Sequence, residues 1–563
     1  MKTEPQNNLI LQAARSLLRQ ASHGIGLAVA FAMAFGVEVK ASGAEPPVDM
    51  AQTWLPWEHA LHSTQTYANP YAQVALRVTY TGPNGRELRA YGFWDGDDMF
   101  RIRCAFQSPG RWHWRTESEP ADPGLNGLSG VVQVSSYQGQ NPLYQHGFLR
   151  VSDDRRYLCH ADGTPFLWMG DTAWAAPMHA TGPEWEAYLQ DRAAKHFTVV
   201  QVAVAPWWAG AKDAQGQPAF FGEHLERWNP PFWKTYERKI TAANERGIFV
   251  LIVGIMEPTT RYPEAPEAVR FARQVAARLY GHFVAFSPSF DSGYRALGDA
   301  VGQALRDTTA VHLITQHPGT TSGQPVNTIA ETYFDRPYLD FAGDQSGHNG
   351  GDLERCSRQA IFWNLHLFER RPPKPVINLE AMYDTDSVET RRPGAWRGED
   401  ARRLGYQSWL SGAMGYTYGT DLYEWVGDPG KPGYWTGVME LPSSTEMKHL
   451  HDLLAGLPWW GLRPDHARVL DPPESFVKRA VFAKTASFDT ALAYLPTADP
   501  LKLSLNGFPA KVKARWYDPR TGEFFGNGEE RVSSSSELFK PPGAGDWVLV
   551  LTPLKDAPVR SKK

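Results

Sequence analysis

The segment Pro165-Phe166-Leu167-Trp168-Met169-Gly170-Asp171-Thr172-Ala173-Trp174 decides how this chain folds. It begins as a short apolar run between turn residues, a pattern that predicts a buried strand over Phe166–Met169. The residues that follow, Gly-Asp-Thr-Ala-Trp, present a carboxylate and an indole together. In parallel α/β proteins the functional site is built by the loops at the carboxyl ends of the strands. We therefore predict that Asp171 and Trp174 lie at such a site.

Residues 151–460 repeat this alternation of an apolar strand, a polar or aromatic strand end and a helical segment. The predicted strands are Phe166–Met169, Val199–Val204, Phe249–Val253, Phe283–Phe286, Val311–Thr315, Leu339–Gly343, Val376–Leu379 and Ala413–Thr417. Eight such units predict a (β/α)₈ TIM barrel. A doubly wound open sheet is the alternative, but it would carry a glycine-rich phosphate loop after the first strand, and Gly-Asp-Thr-Ala-Trp is not such a loop.

The segments on either side of the predicted barrel are rich in β-structure. In residues 45–150 short alternating runs are separated by turn signals such as Gly82-Pro83-Asn84-Gly85. Residues 461–563 show the same alternation, for example over Val512–Tyr517. Short strands with a turn every ten or so residues indicate sandwiches. The predicted fold class is thus α/β, a TIM barrel flanked by N-terminal and C-terminal β-sandwich domains.

Residues 1–44 have the features of a secretory signal peptide. The basic residues Arg15 and Arg19 precede an apolar stretch from Gly24 to Val37, and Ala41-Ser42-Gly43-Ala44 offers small residues for cleavage after Ala44. An uncleaved membrane anchor is the alternative, although the apolar run is short for a membrane span. We expect a secreted or periplasmic protein that has no membrane association after cleavage.

Composition excludes several classes of partner. The 563 residues include 57 basic and 61 acidic side chains, for a net charge of −4, so no general attraction to nucleic acid or to an anionic membrane is expected. The 21 tryptophans can fill a core, but an indole in a loop also suits stacking on a sugar ring. Cys104, Cys159 and Cys356 form no CxxC pair, so we expect buried thiols, with one disulfide as the alternative.

Two carboxylates are the candidate catalytic residues. Glu380 ends the apolar run Pro375–Leu379, and a buried glutamate is costly unless it is paired or used. Asp291 lies just past the fourth predicted strand. Cleavage of a glycoside needs one acid that protonates the leaving oxygen and a second carboxylate that attacks the anomeric carbon or activates water. The alternatives are a salt-bridged loop carboxylate for Glu380 and a helix N-cap for Asp291.

Other side chains at the predicted strand ends are candidates for binding a sugar. They are Asp171, Trp174, Trp207, Trp208, Gln316, His317, Gln345, His348, Tyr383 and Trp425. His317, Asp344 and His348 could instead bind a metal, but they lack the spacing of an HExxH motif, so we predict neither a metal nor a cofactor. The chain has no GxSxG motif, which argues against an esterase.

Several motifs resemble the apiosidase-like glycoside hydrolases. They are residues 162–174, Tyr188-Leu189-Gln190-Asp191-Arg192-Ala193-Ala194, Leu313-Ile314-Thr315-Gln316-His317-Pro318 and Gln345-Ser346-Gly347-His348. Residues 54–118 resemble the β-sandwich domain that often precedes such barrels. The C-terminal part is similar to the small collagen-binding-like β domain that follows them.

The resemblance implies a catalytic pair made of an aspartate after strand four and a glutamate after strand seven, which correspond to Asp291 and Glu380. It also implies a furanoside or pyranoside from plant cell-wall polysaccharide as the substrate. We predict a retaining glycosidase that acts on an oligosaccharide or polysaccharide of plant-type or other complex origin. Relatives usually carry two glycines before the aspartate, whereas this chain has Pro288-Ser289-Phe290. That difference motivates the alternative of a non-catalytic glycan- or matrix-binding protein, and a metal-dependent hydrolase using His317, Asp344 and His348 is a third possibility.

Overall fold

The structure is a computed structural model, and it describes residues 48–257, 263–321, 323–347, 352–384, 397–420 and 435–554. The predicted signal peptide, residues 1–44, lies outside the described residues. Within the described part of the chain, no helix combines the length and the apolar character that crossing a membrane requires.

The N-terminal part forms two sheets around a shared aromatic core. Its elements are β1 (Asp49–Gln52), β2 (Pro56–His62), α1 (Pro70–Gln73), β3 (Ala75–Thr81), β4 (Glu87–Tyr91), β5 (Phe93–Gly96), β6 (Met99–Ala105), β7 (Gly110–Glu119), β8 (Ser129–Ser135) and α2 (Pro142–His146). The sheet orders are β1-β8-β7-β3-β4 and β2-β6-β5. Trp57, Tyr80 and Trp112 are buried between them, because alternate residues of each strand point to one face.

The central part is a parallel barrel. The strands in this part are β9 (Leu149–Val151), β10 (Leu158–His160), β11 (Trp168–Thr172), β12 (Val199–Ala203), β13 (Phe220–Phe221), β14 (Arg227–Trp228), β15 (Phe249–Val253), β16 (Val284–Phe286), β17 (Leu313–Ile314), β18 (Ala342–Gln345), β19 (Val376–Glu380) and β20 (Gly415–Tyr418). Strands β9 and β10 form one separate hairpin, and β13 and β14 form another. The other eight pair in the order β17-β16-β15-β12-β11-β20-β19-β18. The predicted TIM barrel is confirmed.

Hydrogen bonds also join the two end strands of this curled sheet. The backbone N–H of Asp340 donates to the carbonyl of Ile314 at 2.8 Å. The hydroxyl of Thr315 donates to the carbonyl of Phe341 at 2.9 Å. Large side chains such as Trp168 fill the interior, so the barrel is a packed core.

The helices that cover the barrel alternate with its strands. They are α3 (Ala176–His179), α4 (Gly182–Ala194), α5 (Pro230–Glu245), α6 (Ala265–Arg278), α7 (Ala296–Thr308), α8 (Thr328–Phe334), α9 (Leu353–Glu369), α10 (Gly398–Leu410), α11 (Trp435–Met439) and α12 (Pro442–Ala455). Helix α4 begins with a capping box in which Thr181 and Glu184 satisfy each other's backbone N–H groups.

The C-terminal part is a second pair of sheets. Its strands are β21 (Leu462–Pro464), β22 (Val469–Leu470), β23 (Val481–Thr485), β24 (Ala491–Leu495), β25 (Leu501–Leu503), β26 (Lys511–Asp518), β27 (Glu523–Val532), β28 (Glu537–Phe539) and β29 (Trp547–Pro553). They pair in the orders β21-β23-β24-β29-β26-β27 and β22-β25-β28. The carboxylate of Asp546 accepts two hydrogen bonds from Arg402 on helix α10, at 2.8 and 2.9 Å, and so ties this part to the barrel.

The three cysteines, Cys104, Cys159 and Cys356, are free and buried, as expected from their spacing. Burial raises the pKa of the Cys104 thiol well above its usual value, so this thiol stays protonated at neutral pH.

The first barrel strand extends beyond its predicted end. It runs through Thr172, so Asp171 lies within the strand and not in the loop after it. Trp168 points into the barrel, and since side chains alternate along a strand, Asp171 points outward to the helices. There its carboxylate accepts hydrogen bonds from Arg192, at 2.6 Å, and from Tyr188, at 2.7 Å, both on helix α4. Both members of this ion pair are buried, so it fastens the helix to the strand.

We expect Arg192→Leu to lower the free energy of unfolding by about 3–5 kcal/mol, because it leaves the Asp171 carboxylate buried without its counter-ion. Denaturant or thermal unfolding followed by circular dichroism measures the change. The double variant Asp171→Asn/Arg192→Leu should recover part of the loss, since it removes both charges.

Lys502→Met is the control for this prediction, because its ion pair with Asp471 is exposed to solvent. An exposed pair contributes little, about 0–1 kcal/mol. A loss in Arg192→Leu no larger than that in the control would contradict a structural role for the buried pair.

Candidate functional site

Glu380 is the last residue of β19, and its side chain is 2% exposed. Strict alternation would point it outward with Asn378, whose amide donates to Ser408 on helix α10. A register shift between β18 and β19 prevents this: Asp344 pairs with Asn378, but the next residue, Gln345, pairs with Glu380. Such a shift re-aims side chains at a strand end. Glu380 therefore faces the same side of the sheet as Gln345, above the packed interior.

The side-chain amide of Gln345 joins the two predicted catalytic carboxylates. Its Nε2 donates to Oδ1 of Asp291 at 2.7 Å and to Oε2 of Glu380 at 2.6 Å. An amide nitrogen carries two hydrogens, so it can serve both acceptors at once. Carboxylate oxygens of Asp291 and Glu380 lie within 4.8 Å of each other. The structure thus brings together the pair that the sequence predicted from two distant strand ends.

A chain of hydrogen bonds supports Glu380 from the other side. The indole Nε1 of Trp174 donates to the hydroxyl of Tyr383 at 2.6 Å, and this hydroxyl donates to Oε1 of Glu380. Burial, and then the charge of Glu380, raise the pKa of Tyr383 well above its usual value. The hydroxyl therefore remains protonated, and together with Gln345 it supplies Glu380 with two donors that favour the ionised carboxylate.

Asp291 occupies a strained position in the loop after β16. Its φ is +53°, in the left-handed region that non-glycine residues rarely adopt. The carboxylate of Glu257 accepts from the backbone N–H of Phe290 at 3.1 Å, and Ser292 forms a bridge with Pro318. Helix α7 begins later, after Arg295, so Asp291 is not the N-cap of this helix. Strain of this kind occurs where surrounding contacts hold a side chain for a function.

His317 lies beside both carboxylates. Its Nε2 is 3.5 Å from Oε2 of Glu380, and its Nδ1 is 3.7 Å from Oδ1 of Asp291. Trp174 and Phe290 pack against its ring, with centroids at 5.3 Å in each case. These three groups, Asp291, His317 and Glu380, could together hold a metal ion. The same arrangement also suits a sugar, because both carboxylates and the imidazole can contact one bound ring.

The remaining predicted site residues have different positions. Gln316 is buried beneath the site, and Trp208 packs on Phe290 with ring centroids 6.3 Å apart. Asp171 differs from the prediction, because its contacts with helix α4 place it in the barrel wall, where it serves structure and not sugar binding. His348 and Trp425, and the side chain of Trp207, lie outside the described residues.

Sequence reasoning did not assign a role to Glu257, Phe290 or Asn327. The side chain of Asn327 caps helix α8, and its Nδ2 donates to the carbonyl of Gly319 at 3.3 Å and to Asp344 at 3.2 Å. It thereby connects the loop beside Asp291 to the strand that carries Gln345. For Glu257, its position at a predicted strand end was a signal for a place near the site. For Asn327 and Phe290 the sequence carries no such signal, because an isolated asparagine or phenylalanine in a loop has many ordinary roles.

Asp344 is a fully buried carboxylate that points away from the Gln345 side of the strand. Its Oδ1 accepts from Asn327, while its Oδ2 has no hydrogen-bond partner among the described residues. Burial raises the pKa of Asp344 to about 7, although Asn327 and the backbone of Gln345 oppose the shift. Of the three alternative metal ligands, Asp344 therefore contacts Asn327, His317 lies beside Asp291 and Glu380, and His348 lies outside the described residues.

We expect Asp344→Asn to stabilise the protein at alkaline pH and to leave it nearly unchanged near pH 4. The folded pKa of about 7 lies above the ordinary aspartate pKa of 3.8, so the unfolded chain releases its proton first. The resulting loss of stability grows as the pH rises between these two values, and the variant avoids it. Thermal unfolding at pH 4.5 and pH 8 measures this, with the exposed Asp499→Asn as the control. A gain equal at both pH values would contradict the explanation.

Family comparisons agree with this architecture. The apiosidase-like catalytic domain family matches residues 152–461, which is more than half of the chain. A domain of unknown function, DUF5060, matches residues 50–119, and a family named for the collagen-binding domain of a collagenase matches residues 464–552. No curated protein matches this chain.

Solved structures show the same fold at low identity. A glycoside hydrolase is 23% identical, with a TM-score of 0.64, over 74% of this chain and 98% of its own. A family 5 glycoside hydrolase from Bacteroides vulgatus is 24% identical, with a TM-score of 0.62, over 74% of this chain and 95% of its own. Another Bacteroides vulgatus protein is 19% identical, with a TM-score of 0.70, over 90% of this chain and 99% of its own. The match over residues 152–461 shows that this chain belongs to the apiosidase-like family and is a glycosidase.

Proposed function

We propose that the chain is a retaining glycosidase in which Glu380 is the nucleophile and Asp291 is the general acid/base. The observation that carries the proposal is the short separation of the two carboxylates, whose oxygens lie within 4.8 Å and share the amide of Gln345. Retaining enzymes hold their two carboxyl groups about 5–5.5 Å apart, whereas inverting enzymes need about 6.5–9.5 Å to admit a water molecule.

The surroundings of the two carboxylates differ in the way that these roles require. Glu380 is buried and receives hydrogen bonds from Tyr383 and Gln345, which favour the charged form that attacks an anomeric carbon. The side chain of Asp291 is 44% exposed, so a leaving group and then a water molecule can reach it. An acid that must exchange its proton twice per turnover benefits from this access.

The reaction would follow from this geometry in two steps. Asp291 donates its proton to the glycosidic oxygen while Glu380 attacks the anomeric carbon, so that the leaving group departs and a glycosyl ester forms. Asp291, now ionised, removes a proton from water, which attacks the same carbon and releases Glu380. Gln345 contacts both carboxylates in each step and so keeps their separation fixed.

The substrate that we propose is an oligosaccharide or polysaccharide of plant-type or other complex origin, met outside the cell or in the periplasm. Trp174, Phe290 and Trp208 form an aromatic series beside the carboxylates, with ring centroids 4.7 and 6.3 Å apart. Aromatic faces of this kind pack on the C–H groups of sugar rings, while polar groups at the edge bind hydroxyls.

We expect Tyr383→Phe to lower kcat/KM by about ten- to hundredfold, because a hydrogen bond to a charged group contributes about 1.5–3 kcal/mol. The lost donor also removes a hydrogen bond that stabilises the charged form of Glu380, so the acidic limb of the pH profile should move to higher pH. The measurement is kcat/KM against pH on a hydrolysed substrate. The control is Tyr236→Phe, whose hydroxyl donates to the carbonyl of Ala203 away from the carboxylates. An unchanged acidic limb would show that Tyr383 does not act through Glu380.

We expect Glu380→Gln to abolish sugar release from a panel of cell-wall oligosaccharides, read by chromatography beside the wild type. Glu331→Gln is the matched control, because Glu331 pairs with His366 and Arg370 on the outer helices. Hydrolysis by the wild type should also survive EDTA, since no step uses a metal. Full activity in Glu380→Gln would refute the assignment, and loss of activity in EDTA while circular dichroism shows the fold intact would favour a metal held by Asp291, His317 and Glu380.

The stereochemistry separates the two proposed roles. With azide as an external nucleophile, Asp291→Ala should yield a glycosyl azide of retained configuration, and Glu380→Ala one of inverted configuration. Asp291→Ala should also lose less activity on aryl glycosides with good leaving groups, which need little protonation. Proton NMR of the first product gives the configuration, and an inverted product from the wild type would exclude the retaining mechanism.

A further inference from the structure

Two histidines and an aspartate meet on the surface, away from the candidate catalytic residues. His196 lies between helix α4 and strand β12, and His451 and Asp452 lie near the end of helix α12. The Nδ1 atoms of His196 and His451 are 2.5 and 3.0 Å from the same oxygen, Oδ1 of Asp452. The three ligand atoms lie within 4.8 Å of one another. Because His196 precedes β12, this cluster lies at the amino ends of the barrel strands, opposite Glu380.

The backbone at His196 is unusual for an ordinary surface residue. It ends helix α4 with a φ of +58°, and its N–H donates to the carbonyl of Ala193 at 3.0 Å. Helices that end in this conformation usually have glycine at this position, since a side chain costs energy there. The imidazole in this place contacts Asp452 and His451, and the ring centroid of His451 is 5.3 Å away.

The contacts of Asp452 leave one of its oxygens available to an ion. Lys448 occupies the other oxygen, Oδ2, at 2.6 Å and leaves Oδ1 to the histidines. The side chains of His196 and Asp452 are 44% and 38% exposed, so an ion can enter from solvent.

We propose that His196, His451 and Asp452 bind a divalent transition-metal ion of the Zn²⁺ type. Two imidazole nitrogens and one carboxylate oxygen form a common zinc ligand set, which a water molecule completes to four. Each imidazole would adopt the neutral tautomer with its proton on Nε2, so that Nδ1 presents its lone pair to the ion in place of the present hydrogen bond to Oδ1. Small rotations of the side chains would bring the three atoms to the usual distances of about 2.0–2.2 Å.

Such an ion would link the end of helix α4 to helix α12. Helix α12 also carries Ser443, which donates to Asp384, a few residues after Glu380. The proposed role is therefore a structural clip, which stabilises the fold without taking part in the reaction. It does not depend on the proposed glycosidase mechanism.

Isothermal titration of Zn²⁺ into the full chain, purified without a histidine tag and stripped with EDTA, tests the proposal. We expect one ion per chain and a higher Tm in its presence. Co²⁺ in place of Zn²⁺ should give the intense visible absorption of a four-coordinate site. His196→Gln and His451→Gln should each weaken binding on the order of tenfold or more, because each removes one of three protein ligands.

Two further variants make the test specific. His449→Gln should bind normally, because His449 lies on the same helix but contacts the carbonyl of Pro519. Lys448→Gln should bind more tightly, because it removes a cation that competes for Asp452. The proposal is overturned if no ion binds, if both ligand variants bind like the wild type, or if Lys448→Gln has unchanged affinity. An equal loss in His449→Gln would indicate non-specific binding and would overturn it as well.

Discussion

The amide of Gln345 holds two carboxylates together at the mouth of the barrel, and the site depends on this constraint. Whenever both carboxylates are ionised, two like charges lie within 4.8 Å and repel each other, and burial strengthens the repulsion. Gln345 offsets it with one hydrogen bond to each carboxylate, while Tyr383 donates to the far oxygen of Glu380. A carboxylate at position 345 would add a third charge and supply no donor. The site thus requires a neutral donor of two hydrogens at this position.

An irregular pairing of two barrel strands places the amide of Gln345 beside Glu380. The register shift between β18 and β19 places Glu380 opposite Gln345, although simple alternation along β19 would point Glu380 to the helices. On strand β11 the alternation is kept, and the result is the opposite: Asp171 faces outward and binds Arg192. The two carboxylates look alike in sequence, because each ends an apolar strand. Glu380 contributes to the site and Asp171 to the barrel wall, because the register shift lies at β19, whereas β11 keeps its alternation.

The loop of Asp291 shows how neighbouring elements support a strained residue. The carboxylate of Glu257 accepts a hydrogen bond from the backbone N–H of Phe290, and the β-bridge between Ser292 and Pro318 fixes the other side of the loop. Asn327 in turn binds the carbonyl of Gly319 and the buried Asp344. In the same loop Phe290 packs against Trp174 and His317. The loop therefore completes the aromatic wall of the site and presents Asp291 beside Gln345.

The class of fold was predictable from the amino-acid sequence alone, and so was the choice of Asp291 and Glu380, the two carboxylates that the structure brings together. Apolar runs of strand length alternate with amphipathic helices, and this local pattern needs no knowledge of distant contacts. The predicted ends of two strands were too early, because β11 and β18 extend past the apolar residues into the polar residues Asp171 and Gln345. The roles of Asp171, Gln345 and Asn327 were decided only by tertiary structure. The physical reason is that register and the direction of a side chain depend on neighbouring strands, which are far apart in the chain.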